Sequence, residues 1–263
     1  MCNPPCCKIQ EIYAWLNLTF FLSGLMAYPE TMSARIVVEK RFGEQLEGLL
    51  RSPRWRALES GQAGRGLYLA FVENLCAAHL CSPQILAFLY ALAPPSSAAK
   101  LRENMLEEMG LDQEGIAHPS LLLDLARACG LGEEGCARVQ KRARGDLSRM
   151  CMEALLLRTL KELGFAALVE VSAFEWMLSR TATTIAGFLR VSLGLNPKAL
   201  LWFHHHAEVD VRHAAEALEN IEDYAASYGF SKDEIGAMLD FVFRENIFIR
   251  RYLDFPSGDS SQP

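Results

Sequence analysis

Residues 201–225, LWFHHHAEVDVRHAAEALENIEDYA, read as one amphipathic helix, and the fold follows from that reading. No Pro or Gly interrupts the stretch. Apolar residues recur at helical spacing, and Ala, Leu and Glu, all good helix formers, fill most of the rest. At roughly 100° per residue, His206, Asp210 and His213 fall at about 0°, 40° and −20° around the axis, one narrow stripe. Two imidazoles and a carboxylate on one stripe are a nitrogen and oxygen ligand set suited to Fe, Mn or Zn. His204 and His205 point about 160° and 100° away from His206, which makes them weaker ligand candidates. Glu208 points nearly opposite, to solvent. Lone histidines on such a face are commonly satisfied core residues, but three ligand-type residues at i, i+4 and i+7 favour a metal.

The same periodicity runs outward from this helix. Helix-sized segments are expected near 34–51, 65–81, 83–93, 97–109, 118–129, 134–163, 164–194, 197–227 and 231–252, and alternating strand patterns are almost absent. Pro53, Gly61, Gly64 and Gly66 separate the first two segments, and Pro94-Pro95 ends another. Pro197, after Asn196, starts the helix that carries the histidines. Ser231 with Glu234 forms a capping-box pattern for the last helix. Several helices are apolar over much of their surface, as central helices of a bundle must be. With no internal repeat or interdomain linker, the expectation is an all-α chain with one compact helical domain over residues 34–255 and a disordered tail at 256–263.

The chain has 263 residues, 51% of them hydrophobic, which is ample for one large core. Its 26 basic and 32 acidic residues are intermixed and sum to −6, which argues against nucleic acid as a partner. Of six histidines, four lie between 204 and 213, and that concentration is the first sign of function. The cysteines are scattered at 2, 6, 7, 76, 81, 129, 136 and 151, unlike a disulfide framework, and a reducing, cytoplasmic setting is the simpler inference. Cys2, Cys6 and Cys7 lack a second ligand pair for a metal knuckle. Residues 9–27 (IQEIYAWLNLTFFLSGLMA) are apolar enough to raise a signal peptide or anchor, yet Glu11, Asn17, Thr19 and Ser23 interrupt them. Residues 1–33 are expected to be an extension outside the catalytic fold, with Met32 a plausible start; no membrane partner is expected for the core.

One stripe cannot enclose an ion, so other helices must contribute. Glu73 and His79 lie in YLAFVENLCAAHL (68–80), and Glu175 sits in a segment apolar on both sides, where a bare carboxylate is costly. Glu170, five residues before Glu175, points about 140° elsewhere on a regular helix.

At these residues the chain resembles the haem-oxygenase-like di-iron oxidase and oxygenase family. The resemblance runs from about residue 45 to 250: through RSPRWRALESGQ (51–62), RENMLEEMG (102–110), HPSLLLDLARACGL (118–131), and above all His206-x3-Asp210-x2-His213. It implies a compact haem-oxygenase-like (TenA-like, PqqC-like) multi-helix bundle. It also implies metal ligands at Glu73, His79, Glu175, His206, Asp210 and His213. Glu175, about thirty residues before the late triad, matches the family pattern. Glu73 and His79 are six apart where the family has seven, about 120° apart on a regular helix, so a local π-bulge or another ligand is required. Glu107 and Glu108 are the fallback carboxylates.

The activity the resemblance implies is that of an O2-dependent non-haem enzyme using two Fe(II) ions. Oxidative cleavage, desaturation or N-oxygenation of a small amino-acid-like or fatty-acid-like substrate would be its reaction, and a homodimer is the assembly to test for. Trp176, Phe174, Trp202 and Phe203 are candidates for excluding water, and Arg244, Arg250 and Arg251 for receiving a substrate carboxylate. The rival readings are a thiaminase-like enzyme with Cys76, Cys81 or Cys151 as nucleophile, a cofactorless oxidase like the last enzyme of pyrroloquinoline-quinone assembly, and a non-enzymatic helical interaction module.

Overall fold

The computed structural model describes residues 33–113, 115–153 and 159–254, without the side chains of 149–153. The expectations for residues 1–32, including Cys2, Cys6, Cys7 and Met32, and for the tail at 256–263 lie outside the described residues. So does the side chain of Cys151.

In chain order the elements are α1 (Ala34–Arg51), α2 (Pro53–Glu59), α3 (Arg65–His79), α4 (Ser82–Leu92), α5 (Pro95–Met109), α6 (His118–Ala128), α7 (Glu133–Glu153) and α8 (Leu160–Leu193). A 3₁₀ turn (Pro197–Leu200) then leads into α9 (Leu201–Ser227), followed by α10 (Lys232–Val242) and a π-helical turn (Ile249–Leu253). Among the described residues there is no β-strand. The expected all-α bundle is what the chain forms.

Local chemistry explains where the helices start and stop. Ser52 caps α2 by accepting from the Trp55 amide, and Pro53 occupies the first turn, where a missing N–H costs nothing. Pro53, expected only to break a helix, therefore also begins one. Thr159 and Glu162 form a reciprocal capping box on α8, so the boundary expected near 163–164 lies at 159–160. The Ser231–Glu234 box opens α10 as expected.

α8 is central: 34 residues long, it buries Phe165, Val169, Met177, Ile185 and Leu189 along its length and packs against α9. Gly164 permits close approach there, since a Cβ would lie 2.2 Å from Tyr224 Oη and 2.9 Å from Leu92 Cδ1. The stretch Arg65–Leu92 has the length and hydropathy of a membrane span. It is divided between α3 and α4 at Leu80-Cys81, and its buried residues include Asn74 and His79.

The segment 231–252, expected as one helix, ends at Val242. Asn246 accepts from the Ile249 amide and donates to the Gln45 carbonyl, while Gln45 Oε1 accepts from the Ile247 amide. The two bonds to Gln45 on α1 and the local Asn246 bond take the place of the helical ladder where the chain turns. Asn74 on α3 then donates to the carbonyls of Tyr252 and Asp254, each at 3.0 Å, and fastens the final turn over the core.

Candidate metal centre

The stripe on α9 is buried. His206 is 4% exposed, Asp210 0% and His213 2%, while Glu208 and His204 are exposed. His206 Nδ1 lies 3.1 Å from Asp210 Oδ2, and His213 Nδ1 lies 3.4 Å from Asp210 Oδ1. Burial alone would raise the Asp210 carboxyl, but the two imidazoles outweigh it and hold it below its ordinary value. Burial likewise lowers His206, and Asp210 and Glu108 together more than reverse that.

Two partners reach this stripe from α5 and α6. Glu108 is buried; one of its oxygens lies 2.9 Å from His118 Nδ1, and the Ser82 hydroxyl donates to the other at 2.5 Å. Burial pushes the Glu108 carboxyl up, but His118, His206 and Ser82 together hold it at about 2. The rings of His118 and His206 are 4.9 Å apart. One donor atom each from Glu108, His118 and His206 lies within 4.8 Å of the others. That set, two imidazoles and a carboxylate, suits iron.

The fit to a cation rests on one orphaned atom. His206 Nε2 is buried and has no hydrogen-bond partner, a costly omission for a polar atom. With Nδ1 donating to Asp210, a neutral His206 ring presents its lone pair from Nε2. A carboxylate behind an imidazole is how ligating histidines are commonly oriented. Asp210 thus serves in this geometry as the residue that orients His206 and His213.

The remaining expected residues are distributed as follows. Glu175 borders the same region. Its Oε1 accepts from the Asn104 amide at 2.6 Å, and burial, with Asp210 and Glu108 adding to it and His213 and Asn104 opposing, pushes its carboxyl up to about 7. His213 Nε2 lies 2.7 Å from Glu107 Oε2, and Arg212 donates to both Glu107 oxygens. Burial lowers His213, but Asp210 and Glu107 outweigh it and bring it to about 10. His79 is buried near the centre, outside the cluster of three. Its Nε2 is 2.6 Å from the Tyr252 hydroxyl, and burial lowers it to about 4.

Glu73 stands apart from the cluster. Its carboxylate accepts from Arg138 on α7 at 2.8 Å with the side chain 30% exposed, so it belongs to a surface ion pair. The physical reason is the six-residue spacing: α3 is regular, no bulge rotates Glu73 towards His79, and the two face different neighbours. Glu108, named only as a fallback, stands with the histidines instead. His118 was missed altogether. Its signal is a histidine opening a helix before Pro119, ten residues after Glu108, and the pairing becomes visible only when α5 and α6 are brought against α9.

A cavity of about 850 Å³, its open mouth included, reaches this centre. Glu108, Glu175, His206 and Asp210 stand in its wall together with apolar Ile85, Leu147, Val171, Phe174 and Leu178. Trp202 packs on His206 with ring centres 4.2 Å apart. Trp176 faces elsewhere, under Arg180 at 3.6 Å, and Phe203 is buried against Trp202. Arg251 lines the cavity but is already engaged, donating to Glu170 at 3.0 and 2.5 Å.

Comparison with known proteins gives the same direction. The sequence profile of a family described as iron-containing redox enzymes matches residues 69–235. No curated protein matches the chain. Among solved structures, a domain of unknown function with a haem-oxygenase-like fold from Shewanella denitrificans matches with a TM-score of 0.50 at 14% identity, covering 86% of this chain and 96% of that one. With 69–235 spanning most of the bundle and containing Glu108, His118 and His206, the chain belongs to the iron-containing redox enzyme family, folded as a haem-oxygenase-like helical bundle.

Proposed function

We propose that this protein is an O2-dependent non-haem oxidoreductase that binds ferrous iron through Glu108, His118 and His206 and oxidises a small organic substrate held in the adjoining cavity. The observation that carries the reading is the orphaned His206 Nε2, buried beside Glu108 and His118 in a member of an iron-containing redox family. Ferrous iron, when bound, supplies reactivity towards O2.

The chain's own residues do the rest. Asp210 fixes the His206 tautomer, and Ser82 holds the second Glu108 oxygen. Val171, Phe174 and Leu178 give the cavity beside the centre an apolar wall, against which an apolar part of a substrate can pack. Glu175, with its carboxyl near neutrality, is suited to hold or release a proton at Oε2 close to a bound substrate. A second ion, which a di-iron enzyme requires, would draw on Glu175, Asp210 and His213; in the structure these are engaged with Asn104, His206 and Glu107. An apolar cavity with a few polar groups fits a fatty-acid-like or amino-acid-like substrate undergoing cleavage, desaturation or N-oxygenation.

The thiol alternative has little support. Cys76 is fully buried and its thiol is pushed well up by that burial, and Cys81, in the cavity wall, is also raised. Neither environment favours a thiolate.

The test is to purify the protein anaerobically, titrate with Fe(II), measure bound iron and then follow O2 uptake. Binding that falls to background in His118→Ala and His206→Ala, with fold retained by circular dichroism, is the expected result. A well-folded wild type that takes up no iron would overturn the proposal.

A further inference from the structure

We propose that Tyr252 is a redox-active residue, giving an electron to the iron centre by way of Trp202 and its phenolic proton to His79. The proposal rests on the iron-dependent reading above, which supplies the oxidant: the iron centre after it has reacted with O2.

The geometry is a continuous line of rings leading away from His206. Trp202 lies against His206 at 4.2 Å between ring centres, His79 lies 5.2 Å from Trp202, and Tyr252 lies 5.8 Å from His79. Electron transfer weakens steeply with the gap between donor and acceptor, so rings in contact make short hops possible where one long step would be slow. Trp and Tyr are the two side chains most easily oxidised by one electron in a protein interior, and both stand in this line.

A phenol gives up an electron readily only if its proton has somewhere to go. The Tyr252 hydroxyl is 2.6 Å from His79 Nε2, a direct hydrogen bond along which the proton can move. Burial favours the neutral ring of His79, and in its Nδ1-protonated tautomer Nε2 accepts from that hydroxyl. The balance closes on these residues: the Tyr252 O–H bond breaks, the proton forms an N–H bond on His79, and one electron reduces the oxidised iron centre. A neutral tyrosyl radical and an imidazolium remain. Tyr252 is fully buried, enclosed by Phe71 and Phe174, and its backbone carbonyl is held by Asn74. A radical there is shielded from solvent. Such a pair would take up an oxidising equivalent when O2 reacts without substrate, before it attacks the ligands.

The experiment is freeze-quench electron paramagnetic resonance on the full chain loaded with Fe(II) and mixed with O2 in the absence of substrate. A free-radical signal whose hyperfine pattern narrows when the protein is grown on ring-deuterated tyrosine is expected. Tyr252→Phe should lose it with iron content unchanged, and Trp202→Phe and His79→Leu should each diminish it. Iron that binds and is oxidised without any tyrosine-derived signal overturns the tyrosine proposal alone, as does a signal that survives in Tyr252→Phe. Failure to bind iron overturns both it and the functional reading. Isotope labelling of the wild type keeps the test valid should a variant fold poorly.

Discussion

Glu175 contributes a stability that depends on pH in a direction its chemistry dictates. Its carboxyl sits at about 7 in the folded protein, raised by burial, against an ordinary 4.5. A group raised on folding prefers its neutral form, so folding is penalised as pH climbs from about 4.5 to 7, and the penalty is constant above that. At 1.36 kcal/mol per unit the full penalty is about 3 kcal/mol, an upper limit because the carboxyl borders a cavity open to water. Glu175→Gln should therefore stabilise the metal-free protein at pH 8 by up to about 3 kcal/mol and change it little at pH 5. Urea unfolding at the two pH values measures this; equal effects at both would refute it. Glu73 provides the contrast. Glu73→Gln should leave iron binding unchanged, as it breaks only a surface pair with Arg138, whereas Glu108→Gln should reduce bound iron to background. At this scale the sequence was informative where the residues of the centre share one helix, because His206, Asp210 and His213 need only the helical repeat to be grouped. Glu108 and His118 were hard to read because their meaning is tertiary: each is an isolated residue until α5, α6 and α9 meet.

The elements were legible to the extent that their signals are local. Periodicity located the long helices, and the Ser231–Glu234 box is readable from two residues. The end of α10 was not, since it depends on Gln45 bonding Ile247 and Asn246 across some two hundred positions of sequence. Gly164 shows what such distant contacts demand. It lies where α8 crosses α9, and a Cβ there would meet the buried ring of Tyr224, which donates to the Lys161 carbonyl at 3.2 Å. The ring is rigid and has little room to withdraw, so overpacking outweighs the gain in helix propensity. Gly164→Ala should destabilise the protein by about 1–3 kcal/mol, although alanine is the better helix former. Chemical denaturation would check the sign, and a stabilised variant would show that the interface yields.

Across the whole molecule, the candidate metal centre joins parts of the chain that the backbone keeps far apart. Glu108 ends α5, His118 begins α6, and His206 lies near the start of α9. An ion held by all three binds the folded state and not the unfolded one, so it stabilises the fold by mass action. It also removes a cost the bundle otherwise carries, the buried, unpartnered Nε2 of His206. At free Fe(II) a hundredfold above the dissociation constant the gain is about 2.7 kcal/mol, which for a domain of this size raises the melting temperature by about 5–10 °C. Anaerobic thermal unfolding with and without Fe(II) measures it, and chelation should reverse it. The rise should disappear in His118→Ala and Glu108→Gln, which remove a ligand, and persist in Glu73→Gln. It should also separate one ion from two. If a second ion draws on Glu175, Asp210 and His213, its binding must displace Glu107 from His213 Nε2, and Glu107→Gln, by loosening that 2.7 Å contact, should enlarge the rise. A rise unaltered by Glu107→Gln would leave the centre with the three ligands that already face one another.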